Sequence, residues 1–251
     1  MIEIKGLKKR FGEKEVLRGI DLTIPKGKTT VILGLSGGGK STIIKHIVGL
    51  LKPDEGEIWI DGEEISHADV NQIRRIRKKV GFLFQSGALF DSMNVYENVA
   101  FPLREHTNMD EDEIRQRVIE RLEMVALKPK EVLHLFPDEL SGGMRKRVGL
   151  ARTIALNPEI ILYDEPTSGL DPITSDLISQ MIRHLQDELG VTSVLISHDI
   201  KESFKTGDWF AMLYEGKIIE MGDADHFRST NNPYIRQFLD GRSEGPIQFQ
   251  K

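Results

Sequence analysis

Nine consecutive residues, Gly34-Leu35-Ser36-Gly37-Gly38-Gly39-Lys40-Ser41-Thr42, carry the densest chemistry in the chain. They fit G-x-x-x-x-G-K-[ST], a loop that cradles a chain of phosphates. The physics follows from the residue types. Gly34, Gly37, Gly38 and Gly39 reach backbone angles closed to other residues and let main-chain N–H groups approach phosphate oxygens. A helix starting at the loop adds unpaired N–H donors and the positive end of its dipole. Lys40 would neutralise the β- and γ-phosphates, and the Ser41 hydroxyl would ligate Mg2+. The plain alternative is a Gly-rich turn with an incidental lysine.

Three more clusters have reactive composition. Asp164-Glu165 ends an apolar run, where a carboxylate is costly unless a cation meets it. Asp164 suits Mg2+, directly or through water, and Glu165 is placed to orient or deprotonate an attacking water. The bland reading of Glu165 is an acid opening the next turn. His198, in Ser197-His198-Asp199, also stands where an apolar run stops, the place where α/β sheets bind ligands. There it would hold a γ-phosphate and the water. Ser141-Gly142-Gly143-Met144 then opens a basic helical stretch, giving either a second phosphate-binding surface or a simple helix cap. One nucleotide has no use for two such grips in one chain, so a dimer with shared sites is expected. Phe11 either stacks on a base or fills a hairpin.

These groups need elements to hold them. Thr29 to Leu33 reads as a strand before the loop, and Thr42 to Val48 as a helix after it. Residues 2–11 and the stretch Leu17, Ile20, Leu22, Ile24 alternate as antiparallel strands, with Phe11 in the loop after the first. A strand at Glu57 to Ile60 and a basic helix at 71–79 follow, then a short strand, Val80 to Phe84, ending at Gln85. From Ser86 to Pro158 the pattern turns helical. Asn94 and Glu97 form a capping box, Pro102 disfavours continuation of that helix, and Ile114, Val118, Leu122 and Val125 recur at helical spacing. Glu159 to Asp164 and Val191 to Ser197 are apolar enough for parallel strands covered on both faces. Between them a helix runs over 174–189 with Gly190 as its stop. Trp209 to Met221 reads as a hairpin turning at Glu215-Gly216, and a short helix follows Pro233.

Composition sets the outer limits. With 251 residues, 39 % hydrophobic and 29 % charged, the chain suits one large domain or one with an insertion. A net charge of −5 disfavours nucleic acid as a partner. The basic runs at Arg74 to Lys79 and Arg145-Lys146-Arg147 read as solvated helix faces. There is no cysteine, and hence no disulfide or thiolate metal site. No apolar run approaches a membrane span and no signal-peptide pattern opens the chain, so a cytoplasmic location is expected, with any membrane role through a partner.

Phe11, Gly34 to Thr42, Gln85, Leu140 to Met144, Leu162 to Glu165, Ser168-Gly169-Leu170-Asp171 and His198, in this order, resemble the ATP-binding cassette (ABC) ATPases over roughly residues 1–230. That resemblance implies a P-loop α/β core with an antiparallel β edge and an inserted α-helical subdomain, about 87–157, inside a cassette of 1–233. It implies that Phe11 stacks adenine, and that Gly37, Gly39, Lys40, Ser41 and Thr42, within a loop including Gly34, Ser36 and Gly38, hold the phosphates of ATP. It implies Ser41, Gln85 and Asp164 at Mg2+, Glu165 as general base and His198 on the γ-phosphate. Ser141, Gly142 and Gly143 would act across a head-to-tail homodimer, with Asp171 at its seam. Met144 departs from the usual Gln, so any hydrogen bond from that side chain is lost. Phe84 to Phe90, Met93 to His106, the Leu140 to Met144 motif, Gln237 to Gly241 and Gly245-Pro246 resemble more narrowly the ATPase of Mla/Mce-type phospholipid transporters. That likeness implies a multi-span permease, an Mce-domain lipid-binding protein and, in some members, a STAS-domain subunit. It places the chain on the cytoplasmic face of the inner membrane, with a tail over 234–251 extending the dimer contact. An ATPase of an amino-acid or other small-solute importer is the alternative. Soluble ABC machines of repair or translation carry paired cassettes, coiled coils or zinc insertions that this chain lacks.

Overall fold

Strand alternation near the N-terminus becomes a sheet of its own. The computed structural model describes residues 1–248. Strands β1 (Ile2–Phe11) and β2 (Lys14–Ile24) pair antiparallel, and β3 (Thr29–Leu33) leads through the glycine loop into α1 (Lys40–Ile47). Strands β4 (Glu55–Ile60) and β5 (Glu63–Glu64) complete a four-stranded antiparallel sheet in the order β2-β1-β4-β5. One face of it buries Ile2, Ile4, Leu7, Leu17, Ile20, Leu22 and Ile24 against α1. Phe11 is the last residue of β1, opposite Lys14, rather than a loop residue. The expected antiparallel part is thus a separate layer beside the main sheet. Its link to that sheet includes the Arg18 N–H donating to the Gly216 carbonyl at 2.8 Å.

The main sheet forms from apolar runs that are buried on both faces. After α2 (Val70–Lys79) come β6 (Val80–Leu83) and four helices: α3 (Val95–His106), α4 (Glu111–Met124), the single turn α5 (Pro129–Val132) and α6 (Gly142–Thr153). The chain then alternates through β7 (Ile160–Asp164), α7 (Pro172–Leu189), β8 (Thr192–Ile196), α8 (Ile200–Thr206) and the hairpin of β9 (Trp209–Tyr214) and β10 (Lys217–Asp223). Helices α9 (Ala224–Ser229) and α10 (Pro233–Asp240) close it. The strand order is β10-β9-β3-β8-β7-β6, parallel except for the β9–β10 hairpin. Val31 and Leu33 face the core on the side of the helices α3 to α7, and Ile32 faces the core shared with the antiparallel sheet. The hairpin turn at Glu215 and Gly216 has both residues at positive φ, 47° and 74°, the geometry that a two-residue connection between twisted strands needs.

The helices between β6 and β7 follow their caps and stripes. Asn94 and Glu97 form the expected capping box, and Asp110 with Glu113 forms another at the start of α4. Ile114, Val118, Leu122 and Val125 are all buried, each contributing about 1.5–3 kcal/mol. Pro102 does not end α3. The helix runs four residues past it, and Val99, Ala100 and Leu103 pack into the core on its buried face. That burial offsets the roughly 3 kcal/mol a mid-helix proline costs. Asp171 and Gly190 bound α7 as its caps, with Gly190 at φ 61°. At the other end of the chain, Gln237 is buried and pins Ile247 in both directions, accepting from its N–H at 2.7 Å and donating to its carbonyl at 3.1 Å. Residues 249–251 of the expected 234–251 tail lie outside the described residues.

Candidate functional site

Strand order builds the site. In β3-β8-β7-β6 all four strands run the same way, so their carboxyl ends share one rim. The glycine loop leaves β3, His198 follows β8, Asp164 and Glu165 end β7, and Gln85 follows β6. Residues as far apart in sequence as Ser36 and His198 are thereby brought to the crevice where open α/β sheets bind ligands. A cleft of 440 Å³ there is lined by Phe11, Lys14, Val16, Ser36, Gly37, Gly39, Lys40, Ser41, Thr42, Gln85 and Glu165. Lys14 and Val16 were not anticipated from the sequence. They flank Phe11 across the β1–β2 turn, and only the hairpin register brings them to the cleft.

The loop glycines divide into two kinds. Gly37 has φ 73° and open space where a Cβ would stand, which leaves its backbone accessible. Gly34 has φ 152°, and a Cβ there would fall within 3.0 Å of the Leu213 carbonyl oxygen, 3.4 Å from its carbonyl carbon and 3.5 Å from its Cβ. Gly34 therefore lets the loop pass close to β9, a packing task. The Lys40 ammonium is buried and donates to the Gly34 and Leu35 carbonyls at 2.8 and 2.9 Å, a folded-back pose inside the loop. Burial pulls its pKa below the ordinary lysine value, and the Glu165 and Asp164 carboxylates partly offset this.

At the ends of β7 and β8 the polar groups converge. The Ser41 hydroxyl donates to Asp164 Oδ1 at 2.8 Å. Burial raises the Asp164 carboxyl above its ordinary pKa, the Ser41 bond opposes that, and neighbouring Glu165 adds to it. Glu165 sits at φ 47°, a strained angle for a non-glycine residue, with its N–H donating to the Ile196 carbonyl at 3.0 Å. His198 Nδ1 lies 3.2 Å from Glu165 Oε2, and the Gln85 amide approaches that same oxygen at 3.4 Å while donating to the Ser168 hydroxyl at 3.1 Å. A half-exposed His, a strand-end carboxylate and an amide thus face one space beside the loop.

The remaining expected residues stand apart from the cleft. Ser141 caps α6, accepting from the Met144 N–H at 3.3 Å. A Cβ on Gly142 would lie 3.6 Å from Leu170, and one on Gly143 would lie 2.6 Å from the Thr174 Cγ2. Asp171 caps α7 through the Ile173 and Thr174 N–H groups, both at 3.0 Å, and accepts from the Thr174 hydroxyl at 2.6 Å. None of Ser141, Gly142, Gly143 and Asp171 lines the cleft. They form a second surface, joined to the first through α6.

The solvated reading of Arg145-Lys146-Arg147 fails at its centre. Lys146 is 5 % exposed and donates to the Glu165 and Ser168 carbonyls at 3.3 and 3.1 Å. Arg147 is half-buried and donates to the Ala126 carbonyl at 3.0 Å. Its charge makes Lys146 look like surface, whereas helical spacing gives the opposite signal. Gly143, Lys146 and Leu150 share one face, and all three are buried.

Comparison with known proteins agrees with this geometry. Residues 17–168 match the family described as ABC transporter. A "Probable ribonucleotide transport ATP-binding protein mkl" of Mycobacterium leprae (strain TN) is 45 % identical over 246 residues, covering 98 % of this chain and 70 % of that protein. An "Intermembrane phospholipid transport system ATP-binding protein MlaF" of Escherichia coli (strain K12) is 42 % identical over 250 residues, covering 100 % of this chain and 92 % of that one. A solved structure described as a dimeric post-hydrolysis state of the ATP-binding cassette MJ0796, bound to ADP and Pi, superposes with a TM-score of 0.81 at 36 % identity, over 89 % of this chain and 98 % of the other. On that family match and those likenesses, the chain belongs to the ABC transporter family as an ATP-binding, ATP-hydrolysing subunit.

Proposed function

We propose that this subunit powers phospholipid trafficking, hydrolysing ATP in a head-to-tail homodimer docked on membrane-spanning permease subunits. The observation that carries the hydrolytic part is the shared rim of β3, β8, β7 and β6, with Lys40, Glu165 and Gln85 lining one cleft and His198 standing 3.2 Å from Glu165. ATP enters with its base against Phe11 and its phosphates along residues 36–42. Lys40 leaves the Gly34 and Leu35 carbonyls for the β- and γ-phosphates. Glu165 accepts a proton from water as the water oxygen bonds to the γ-phosphorus and the bond to the β-phosphate oxygen breaks, releasing ADP and phosphate. His198 steadies the γ-phosphate. Mg2+ suits the donors present: Asp164 is a buried carboxylate raised in pKa, already aligned by the Ser41 hydroxyl, with Gln85 at the same cleft. Among the described residues no cluster of three or more His, Asp or Glu forms a metal cage, consistent with an ion held largely by phosphate and water. When bound, Mg2+ neutralises the charge that develops on the phosphates.

Ser141 and Gly143 would meet the partner's γ-phosphate, with Asp171 at the seam. The four helices between β6 and β7, about 87–157, would move as a unit when the dimer closes. The cassette would span 1–233, and the tail from 234 would extend the dimer contact. No helix among the described residues is long and apolar enough to cross a membrane, so the permease supplies the transport path. Attachment at the cytoplasmic face of the inner membrane follows, with an Mce-domain lipid-binding protein and a STAS-domain subunit as further partners. The phospholipid reading is supported by the near-complete mutual coverage with the Escherichia coli relative, which includes the segment after Gln85 and the tail.

The test is a pull-down of tagged protein from its native membranes in gentle detergent, with mass spectrometry of proteins and lipids. A permease, an Mce-domain protein and retained phospholipid would support the reading. A permease with a small-solute receptor and no lipid would overturn the cargo while leaving the nucleotide site intact.

A further inference from the structure

We infer that Lys146 is a positioning residue for ATP hydrolysis, holding the Glu165–Ser168 turn from α6, the helix that Ser141 caps. This rests on the proposed role of Glu165 as base. A buried ammonium is expensive, and an apolar side chain of similar length would fill the same space at lower cost. The charge here meets two main-chain carbonyls, Glu165 at 3.3 Å and Ser168 at 3.1 Å. Those carbonyls bracket a turn closed by the Ser168 N–H donating to the Glu165 carbonyl at 3.1 Å.

Glu165 is where such a clamp matters. Its φ of 47° is strained for a non-glycine residue and persists only where its surroundings over-determine it. Its N–H is fixed by Ile196 and its carbonyl by Lys146, so both sides of the strained residue are held. The side chain is thereby aimed at His198 and Gln85. Gln85 also bonds the Ser168 hydroxyl, which ties the other end of the turn to the same cleft.

Lys146 also joins two surfaces within one chain. It stands on α6 beyond Ser141 and Gly143, the groups proposed to meet the partner's nucleotide, and it grips the backbone of the base acting on its own. A shift of α6 on contact with the partner's ATP is passed to Glu165 through this ammonium. The two sites of a dimer are then linked, so that the base reaches its working position once the neighbouring site is filled.

The test compares wild type, K146M, K146R and E165Q in steady-state MgATP hydrolysis over a range of ATP concentrations, with thermal unfolding of each variant. K146M keeps the stem and removes the charge. Its kcat should fall about tenfold to a hundredfold, the cost of a base misplaced by about 1 Å. Its KM for ATP should move by less than about threefold, because the phosphate loop is untouched. K146R should recover part of kcat, and the Hill coefficient for ATP should drop in K146M. A kcat for K146M within about twofold of wild type, with E165Q inactive, overturns the inference and leaves the base in place. A lowered kcat that tracks a lowered melting temperature, with K146R no better than K146M, assigns Lys146 to stability alone and also overturns it. Wild-type turnover in E165Q removes the base itself, and the inference with it.

Discussion

Gly34→Ala separates the packing demand at Gly34 from the open position of Gly37, a residue proposed to meet phosphate. A methyl group at this position meets the Leu213 carbonyl oxygen inside 3.0 Å, against an ordinary C···O separation of about 3.3 Å. That oxygen belongs to β9, which pairs with β3 through Leu33 and Met212 immediately before the loop, so neither side yields without disturbing the sheet. Crowding of this kind costs about 1–3 kcal/mol, and a non-glycine residue in this backbone region costs about 1–3 kcal/mol more. A middle value of about 4 kcal/mol lowers the melting temperature by roughly 8–16 °C for a chain of this length. Gly37→Ala is the internal control. Its φ of 73° also disfavours alanine, but nothing lies within 4 Å of the added carbon. Only the backbone term remains, about 1–2 kcal/mol, or roughly 2–8 °C. The assay is thermal unfolding by circular dichroism without nucleotide, followed by ATP binding on both variants. Gly34→Ala should lose more stability, and Gly37→Ala should lose ATP affinity out of proportion to its stability. A Gly34→Ala protein no less stable than Gly37→Ala would refute the division of tasks within the loop.

Other perturbations follow from the same contacts. Phe11 lines the cleft, so if the proposed base stack forms there Phe11→Ala should weaken ATP binding by roughly tenfold, the loss of a stack worth about 1–3 kcal/mol, while Phe11→Tyr retains it, as read by titration calorimetry. Asn98 is fully buried, donating to the Phe90, Met93 and Asn94 carbonyls and accepting from the Phe90 N–H at 2.8 Å, so Asn98→Ala should cost about 2–4 kcal/mol in denaturant unfolding by stranding those groups. At Asp208 burial pushes the carboxyl pKa up, but the Thr29 N–H and the Arg183 guanidinium outweigh it and hold the value below the ordinary 3.8. A depressed folded value stabilises above the unfolded pKa and is lost as pH falls through the folded one. Asp208→Asn should therefore unfold more easily at pH 7, with its deficit against wild type narrowing in melts taken below about pH 4.

How much of this was readable before folding depends on range. The Asp164 run, the capping box at Asn94 and the Gly190 stop are set by neighbours in sequence, and each appears where its pattern predicts. The reactive clusters were legible as types because phosphate, carboxylate and glycine chemistry is local. Their meeting was implied only by the family resemblance, since it depends on the order β3-β8-β7-β6, which no single segment encodes. Pro102 was misread because packing of Leu103 and its neighbours overrides a local penalty. Lys146 was misread because its charge argues for water, while its partners are carbonyls 19 and 22 residues away. Lys14 and Val16 reach the cleft only through the β1–β2 register. The small helices α8 and α9 were missed, being too short to show a periodic stripe.

The central claim is that Glu165 removes the proton from water at a site completed by a second copy of the chain. It is tested most directly by Glu165→Gln, an isosteric change that keeps the amide able to sit at φ 47° but unable to accept that proton. Turnover is measured with MgATP, and mass in solution by light scattering on a sizing column, with and without nucleotide. The account predicts turnover reduced by at least about a hundredfold and a dimer that persists only when ATP is bound. Wild-type turnover would contradict Glu165 as the base, and a monomer that binds ATP without associating would contradict the shared site.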